Sequence, residues 1–392
     1  MATRLSTNAF VRTLYFIVFL DMLGVSMIIG IMIQAFKSRG ISPSVTGLVG
    51  SLYGAIQIFS GPVIGRLGDV YGRKKFMFLS YLMPGLSYLI LGTTSSVHLL
   101  IVSRILNGVF KHGQLCSRAY ITEQVPSDKQ SAILGYFNSF SSLGFIIGPL
   151  VGGYLAEMDP QLGLPFIASA GVFFTASTVI LLMIPESKNI AKTATFNWRE
   201  VFSSLNIFDG FKWSEQYDIL LFRFVSSLSV ITYRRNFTIF LEEVHGMTGK
   251  HSTKGLIMSF NAIVGMIASS FAGRVSKYYR SQSKLLVHMT ILMCLAMIGS
   301  VWLPWLPVTI VCLIPLSVAT ANLRIASVKV MLTRGDQGQK GALIGIGASV
   351  TSLARALGPS VVGVAQEYSS VYSGYISSGL GVVSLLLAFN VY

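Results

Sequence analysis

An aspartate lies about ten residues inside the first long apolar run of this chain. Asp21 follows Tyr15-Phe16-Ile17-Val18-Phe19-Leu20 and precedes Met22-Leu23-Gly24. At 1.5 Å per residue it sits roughly 15 Å into a spanning helix, near the middle of a bilayer. An ionisable group at that depth is costly and points to function. Burial raises a carboxyl pKa into a range where it can take up and release a proton. An ion pair with a nearby arginine, with no role in transport, is the alternative.

The other intramembrane charges are basic. The fourth apolar run carries Arg104, Asn107, Lys111 and Arg118. Seven residues turn a helix through about 700°, so this spacing forms one polar stripe that should line a cavity. His112 beside it reads as a hydrogen-bonded core residue. In the seventh run Arg223 and Arg234, eleven residues apart, share a face to within about 20°. The tenth run holds Asn322 and Arg324, and the eleventh Arg355. Arg118, Lys329 and Arg235 are expected to snorkel to an interface. One acid against several cations favours an anionic or carboxylate-bearing solute.

Twelve apolar runs can position these residues. They lie at roughly 12–35, 45–67, 75–94, 98–123, 131–156 and 163–184, then 217–241, 254–276, 283–303, 305–330, 341–366 and 370–391. The longest polar connection, 185–216, separates them into sixes, with a short surface helix expected near 198–205. The chain is 52% hydrophobic and only 11% charged. A soluble domain carries about 25% charged residues. So much apolar surface requires a lipid bilayer as partner. The net charge of +15 does not indicate nucleic acid, because the basic residues sit in short gaps between apolar runs. With the N-terminus cytoplasmic, 18 Lys and Arg fall inside and four outside, the four being Lys37, Arg39, Lys250 and Lys254. That bias places both termini and the central linker in the cytoplasm.

The two sixes are copies. Residues 132–157 and 342–367 align without a gap at an offset of 210, with ten identities in 26 positions, among them Gly148/Gly358, Pro149/Pro359, Gly153/Gly363 and Glu157/Glu367. Residues 47–71 repeat at an offset of 208 through Gly47/Gly255, Ser51/Ser259, Gly65/Gly273 and Arg66/Arg274. Gly144, Gly148, Gly152 and Gly153 allow a neighbouring backbone to come close. Pro149 and Pro359 remove a helical hydrogen bond and bend the axis.

Three stretches carry a resemblance to the major facilitator superfamily. The loop Gly65-Arg66-Leu67-Gly68-Asp69-Val70-Tyr71-Gly72-Arg73-Lys74-Lys75 resembles its signature loop, with Val70 where the family has Arg. Gly144 to Gly153, with Gly148-Pro149 inside, resembles its antiporter motif. Arg104-Ile105-Leu106-Asn107-Gly108 resembles its intramembrane arginine motif, with Asn in place of Gln. Leu20-Asp21-Met22-Leu23-Gly24 is similar to the first span of tetracycline-exporter-type drug/proton antiporters, without their later prolines. The segments 19–27, 110–118 and 363–367 resemble an orphan member of the superfamily more closely.

The resemblance implies an all-α membrane protein of 12 transmembrane helices, in two six-helix halves (1–184 and 217–392) related by a pseudo-twofold axis. It implies that spans 1, 4, 7 and 10 line the path, setting Asp21 against Arg104, Lys111, Arg223, Arg234 and Arg324. Asp69 should meet the start of span 11 near 341–345, with Arg73 on Glu123 or Asp128. Gly65 and Gly72 should make the turn between spans. Lys277 replaces the acid in the second copy, so the latch is one-sided.

The expected function is a secondary transporter moving a small organic solute by alternating access, as a proton antiporter, working as a monomer. A facilitative organic-anion uniporter and a non-transporting receptor or scaffold are the alternatives. No enzyme activity is expected: there is no Cys/His metal spacing, no Gly-x-Ser-x-Gly and no Gly-x₄-Gly-Lys loop. No catalytic residue, metal or cofactor is expected.

Overall fold

The computed structural model describes residues 7–186, 213–303, 305–335 and 340–391, and the described residues are helical without strands. The expected surface helix near 198–205 and most of the linker lie outside them. In chain order the helices are α1 (Thr7–Ile29), α2 (Met32–Ser38), α3 (Pro43–Tyr71), α4 (Arg73–Thr93), α5 (Val97–Phe110), α6 (Gly113–Gln124), α7 (Ser127–Met158) and α8 (Leu164–Met183). Then follow α9 (Trp213–Glu243), α10 (His251–Tyr278), α11 (Gln282–Trp302), α12 (Leu306–Arg334), α13 (Lys340–Gln366) and α14 (Ser370–Val391).

Ten of these helices are long and apolar enough to cross a bilayer. Two expected spans depart from that description. The fourth is broken into α5 and α6 and is not one helix over 98–123. The seventh, α9, is continuous, but Arg223, Arg234 and Arg235 dilute its apolar character. The first span also ends early: α1 stops at Ile29, and Gly30-Ile31 separates it from α2. Apolar side chains are left bare around the bundles, Leu182 at 77% and Leu295 at 63% exposed. In water such surface would be a liability, and in lipid it is the solvent-facing surface.

The chain divides into two compact units. One contains α1, α2, most of α3, α4 to α8 and the start of α10 at Lys250–Ser259. The other contains Gly40–Gly54 at the start of α3, then α9, the rest of α10 and α11 to α14. Each is built on one packing plan. In the first, α1 packs on α7 and α8, and α4 on α8 and α5. In the second, α9 packs on α13 and α14, and α11 on α14 and α12. These are corresponding helices of the two sequence copies. Small residues allow the contacts. In the first unit, a Cβ on Gly144 or Gly152 would run into the α1 backbone at Phe19 or Met27, and one on Gly148 into the Ser26 hydroxyl. Ser26 donates to Gly144 O at 3.0 Å across that seam. In the second, a Cβ on Gly358 would lie 2.6 Å from Ile231 on α9.

Polar groups close the turns. Asp159 accepts from the amides of Gly163 and Leu164, each at 2.7 Å, as α8 begins. Partial burial pushes its carboxyl up, but those amides, the Gln161 amide and Arg39 together hold it below its ordinary value. Pro149 and Pro359 both lie inside continuous helices.

Candidate functional site

The break in the fourth span sets the geometry of the first unit. Lys111 ends α5 with φ −74° and ψ 64°, and His112 leads into α6 with φ −120° and ψ 19°. The carbonyls freed there are taken by α3. Gln57 Nε2 donates to Lys111 O at 3.0 Å, and Ser60 Oγ donates to Gly108 O at 2.8 Å. Ser60 also meets His112 Nε2 at 2.7 Å, so His112 is a hydrogen-bonded, buried residue. Gly113 is required where α6 starts, because a Cβ would lie 2.6 Å from the Tyr81 ring.

The break turns Lys111 toward Asp21. Their ammonium and carboxylate form an ion pair, with the Asp21 side chain 1% and the Lys111 side chain 9% exposed. The Lys111 ammonium lies 4.5 Å from the Phe173 ring centroid and 6.0 Å from that of Tyr81. Aromatic faces add attraction for a cation and keep water away. Among the described residues, Asp21 Oδ2 has no hydrogen-bond partner. Of the bases expected around Asp21, the broken helix puts Lys111 on the carboxylate.

The expected stripe along span 4 is broken up for the same reason. Arg104 is buried. Asn107 is fully buried and donates to Ser87 Oγ at 3.1 Å, in the α4–α5 contact and not on a cavity wall. Arg118, beyond the break, is exposed, bonded to Asn138 Oδ1 at 2.8 Å and 5.5 Å from the Phe137 ring.

In the second unit the cations lie on α9, α12 and α13. Arg223 is partly buried and reaches Ser327 Oγ and Thr351 Oγ1, both at 3.3 Å. Arg234 and Arg324 are exposed. Arg324 donates to Ser269 Oγ at 3.4 Å. Arg235 is half-exposed. Lys329 donates to Ser276 Oγ at 2.7 Å, and Arg355 to Ser352 Oγ at 3.0 Å.

In the signature loop, Arg73 binds Asp69 at 2.5 Å and Glu123 at 2.8 Å. Gly72, at φ 103°, supplies the left-handed turn between α3 and α4. Gly65 does not share in it. It lies well inside α3, and a Cβ there would meet open space. The residues expected to face Asp69 begin in 336–342, whose side chains lie outside the described residues.

Two carboxylates that the sequence flagged only as repeat identities also hold defined positions. Glu157, ending α7, accepts from Ser252 at the start of α10. Glu367, just past α13, accepts from the Ser44 amide at the start of α3 at 3.0 Å. A polar residue at the start of the paired helix, 208 positions apart in the two copies, was the available signal.

The sequence profile of the Major Facilitator Superfamily matches residues 14–389. Multidrug resistance protein 2 of Bacillus subtilis (strain 168) is 26% identical over 381 residues, covering 93% of this chain and 92% of that protein. Tetracycline resistance protein, class H, of Pasteurella multocida is 24% identical over 378 residues, covering 93% and 91%. The crystal structure of the nucleoside transporter NupG superposes with a TM-score of 0.81 at 13% identity, over 97% of this chain and 98% of that one. With a profile match over nearly its whole length, this chain of bilayer-spanning helices belongs to the Major Facilitator Superfamily and is an integral, multi-pass membrane transporter, not an enzyme.

Proposed function

We propose that the protein is a secondary active transporter that exchanges a small organic solute for protons, with Asp21 as the proton-binding carboxylate. One observation carries this reading: Asp21 is buried in the first unit against the Lys111 ammonium, which is held under two aromatic rings. Protonating Asp21 removes the charge that holds Lys111, so the two states of the carboxyl favour different arrangements of the broken span. Discontinuous helices frame the ion and substrate sites of many secondary transporters. The printed names of the relatives, multidrug and tetracycline resistance proteins, support an organic solute.

Solute flux into proteoliposomes, with and without an imposed pH gradient, tests the coupling. Wild-type flux should follow the gradient and Asp21→Asn flux should not. Equal, gradient-independent flux in both overturns the proton role and leaves a facilitative transporter. That second reading, an organic-anion uniporter, is favoured by the arginines of the second unit.

The working unit in this reading is one chain of two six-helix halves, 1–184 and 217–392, joined by 185–216, with both termini cytoplasmic. The 18-to-four distribution of Lys and Arg supports that orientation. In intact cells an impermeant thiol reagent should label Lys250→Cys and spare Lys75→Cys. The opposite pattern would reverse the topology.

A further inference from the structure

The turn from α3 to α4 and the turn from α10 to α11 are copies in sequence, but their charges differ. At the first, Arg73 has Asp69 and Glu123. At the second, Lys277 stands where the copy has Asp69, and no Asp or Glu occurs from Val244 to Gly335. Arg274, Lys277 and Arg280 are all exposed. Among the described residues, no carboxylate pairs with any of the three. Lys284, in the first turn of α11, is exposed as well.

Side chains hold this turn in shape. Gln282 reaches back to Ser276, accepting from its hydroxyl at 2.8 Å and donating to its carbonyl at 3.1 Å. The Tyr279 hydroxyl meets His288 Nδ1 at 3.1 Å. Lys329 of α12 donates to Ser276 Oγ at 2.7 Å and sets another cation behind the turn.

Helix α10 leads up to these charges with an apolar stripe. Its polar side bonds α12, with Asn261 on Ser317 at 2.9 Å and Ser269 on Arg324 at 3.4 Å. Ile263, Ile267 and Phe271, four residues apart and so along one stripe, are exposed. The Arg274 guanidinium lies 5.2 Å from the Phe271 ring centroid. Tyr278, seven residues past Phe271 and therefore on the same face, is 88% exposed. Aliphatic side chains, then a cation over an aromatic ring, then a tyrosine follow the polarity of a leaflet from acyl chain to headgroup.

We propose that the α10–α11 turn binds an anionic phospholipid, with its headgroup on Arg274, Lys277 and Arg280 and an acyl chain along Ile263, Ile267 and Phe271. A negative headgroup among these cations replaces their mutual repulsion with attraction. A soluble anion would answer the charges and leave the stripe bare. The orientation proposed above puts this turn at the cytoplasmic leaflet, where acidic lipids attract basic segments. The binding itself does not depend on that orientation.

The test is thermal unfolding of the purified full chain in detergent. Dioleoyl phosphatidylglycerol, dioleoyl phosphatidylcholine, glycerol 3-phosphate and polyglutamate are added in turn. At a hundredfold excess over Kd, phosphatidylglycerol should raise Tm by about 3 °C and the other three should not. Lys277→Gln and Arg280→Gln should each weaken its binding about fivefold. Both side chains are exposed, so the ligand-free Tm should stay at the wild-type value. Ile267→Asn should weaken binding with every cation in place. Lys129→Gln, which removes an exposed cation beside Asp128 in the other unit, should respond as wild type.

Equal stabilisation by phosphatidylcholine overturns the proposal, as does a wild-type response in the Lys277→Gln/Arg280→Gln double variant. A full response to glycerol 3-phosphate would make this a site for free anions, and one to polyglutamate a site for an acidic protein segment. Either result, or an unchanged response in Ile267→Asn, overturns the lipid assignment.

Discussion

Ser252 donates its backbone amide to one oxygen of Glu157 at 2.8 Å and its hydroxyl to the other at 2.6 Å. In the other unit the Ser44 amide donates to Glu367 at 3.0 Å. Each carboxylate sits on the first turn of a helix, where unpaired amides and the helix dipole favour an anion. Close backbone contact surrounds both. A Cβ on Gly153 would lie 2.5 Å from His251 O, and one on Gly363 would meet Pro43 O. The repeat in the sequence is thus a repeat in structure at the level of single hydrogen bonds.

Glu157→Gln should speed amide exchange at the start of α10, and Glu367→Gln at the start of α3, each leaving the other helix unchanged. Hydrogen exchange read by mass spectrometry resolves the two. The bonds from the Ser44 hydroxyl and amide, with that of Ser42, hold the Glu367 carboxyl below its ordinary value of 4.5. An acid depressed in the folded state stabilises above its unfolded pKa, and that stability is lost as pH falls through the folded one. Protection at the start of α3 should therefore be full at neutral pH and fall only below 4.5. In Glu367→Gln that acid step should be absent.

The Asp21–Lys111 pair gives a second expectation. Asp21→Asn or Lys111→Gln each strands a buried partner, which costs about 3–5 kcal/mol. The double variant strands neither and should recover part of the loss. A double-mutant cycle on unfolding free energy should give a coupling of roughly 0.5–3 kcal/mol. Additive losses would mean the two groups do not depend on one another.

Glycines in the two motif stretches should respond in opposite directions to alanine. At Gly152 a methyl collides with the backbone of Met27, which can yield only if α1 moves. Gly152→Ala should cost about 1–3 kcal/mol. At Gly65 a methyl meets open space inside a regular helix. Gly65→Ala should stabilise by roughly 0.5–1 kcal/mol, since alanine loses less backbone entropy there. Thermal unfolding of the two variants side by side checks both signs.

Those glycines show what was legible in the sequence. Period, length and internal repeat determine which segments lie in lipid, and ten helices follow that reading. Small residues at a seam also announce themselves, as at Gly144 to Gly153. Asp21 was legible as a carboxylate out of place among several bases, but that Lys111 would pair with it was not. Arg104 and Lys111 are both basic and two turns apart, and an unbroken helix cannot tell which one reaches Asp21. That choice depends on where α5 stops, and α5 stops because side chains more than forty residues earlier, Gln57 and Ser60, receive its free carbonyls. Gly65 misled in the opposite way, since its sequence neighbours read as a turn while α3 runs on to Tyr71. Glu157 and Glu367 looked like incidental identities until Ser252 and Ser44 were placed against them.

Ser60 therefore becomes the position at which the broken span should be most sensitive to a small change. Its hydroxyl contacts both Gly108 O and His112 Nε2. Ser60→Ala removes a single oxygen and leaves two buried polar atoms without it. An unsatisfied buried group costs about 1–3 kcal/mol, so the loss should exceed what an ordinary surface serine would show. Thr93, whose hydroxyl bonds only its own helix at Leu89 O and Ile90 O, provides that reference. Thr93→Ala should change unfolding free energy by less than about 0.5 kcal/mol. Since the same break aims Lys111 at Asp21, Ser60→Ala should also shift the pH dependence of flux, while Thr93→Ala leaves it in place. A Ser60→Ala protein as stable as Thr93→Ala, with an unmoved pH profile, would mean the break is held by Gln57 and Gly113 without help from Ser60.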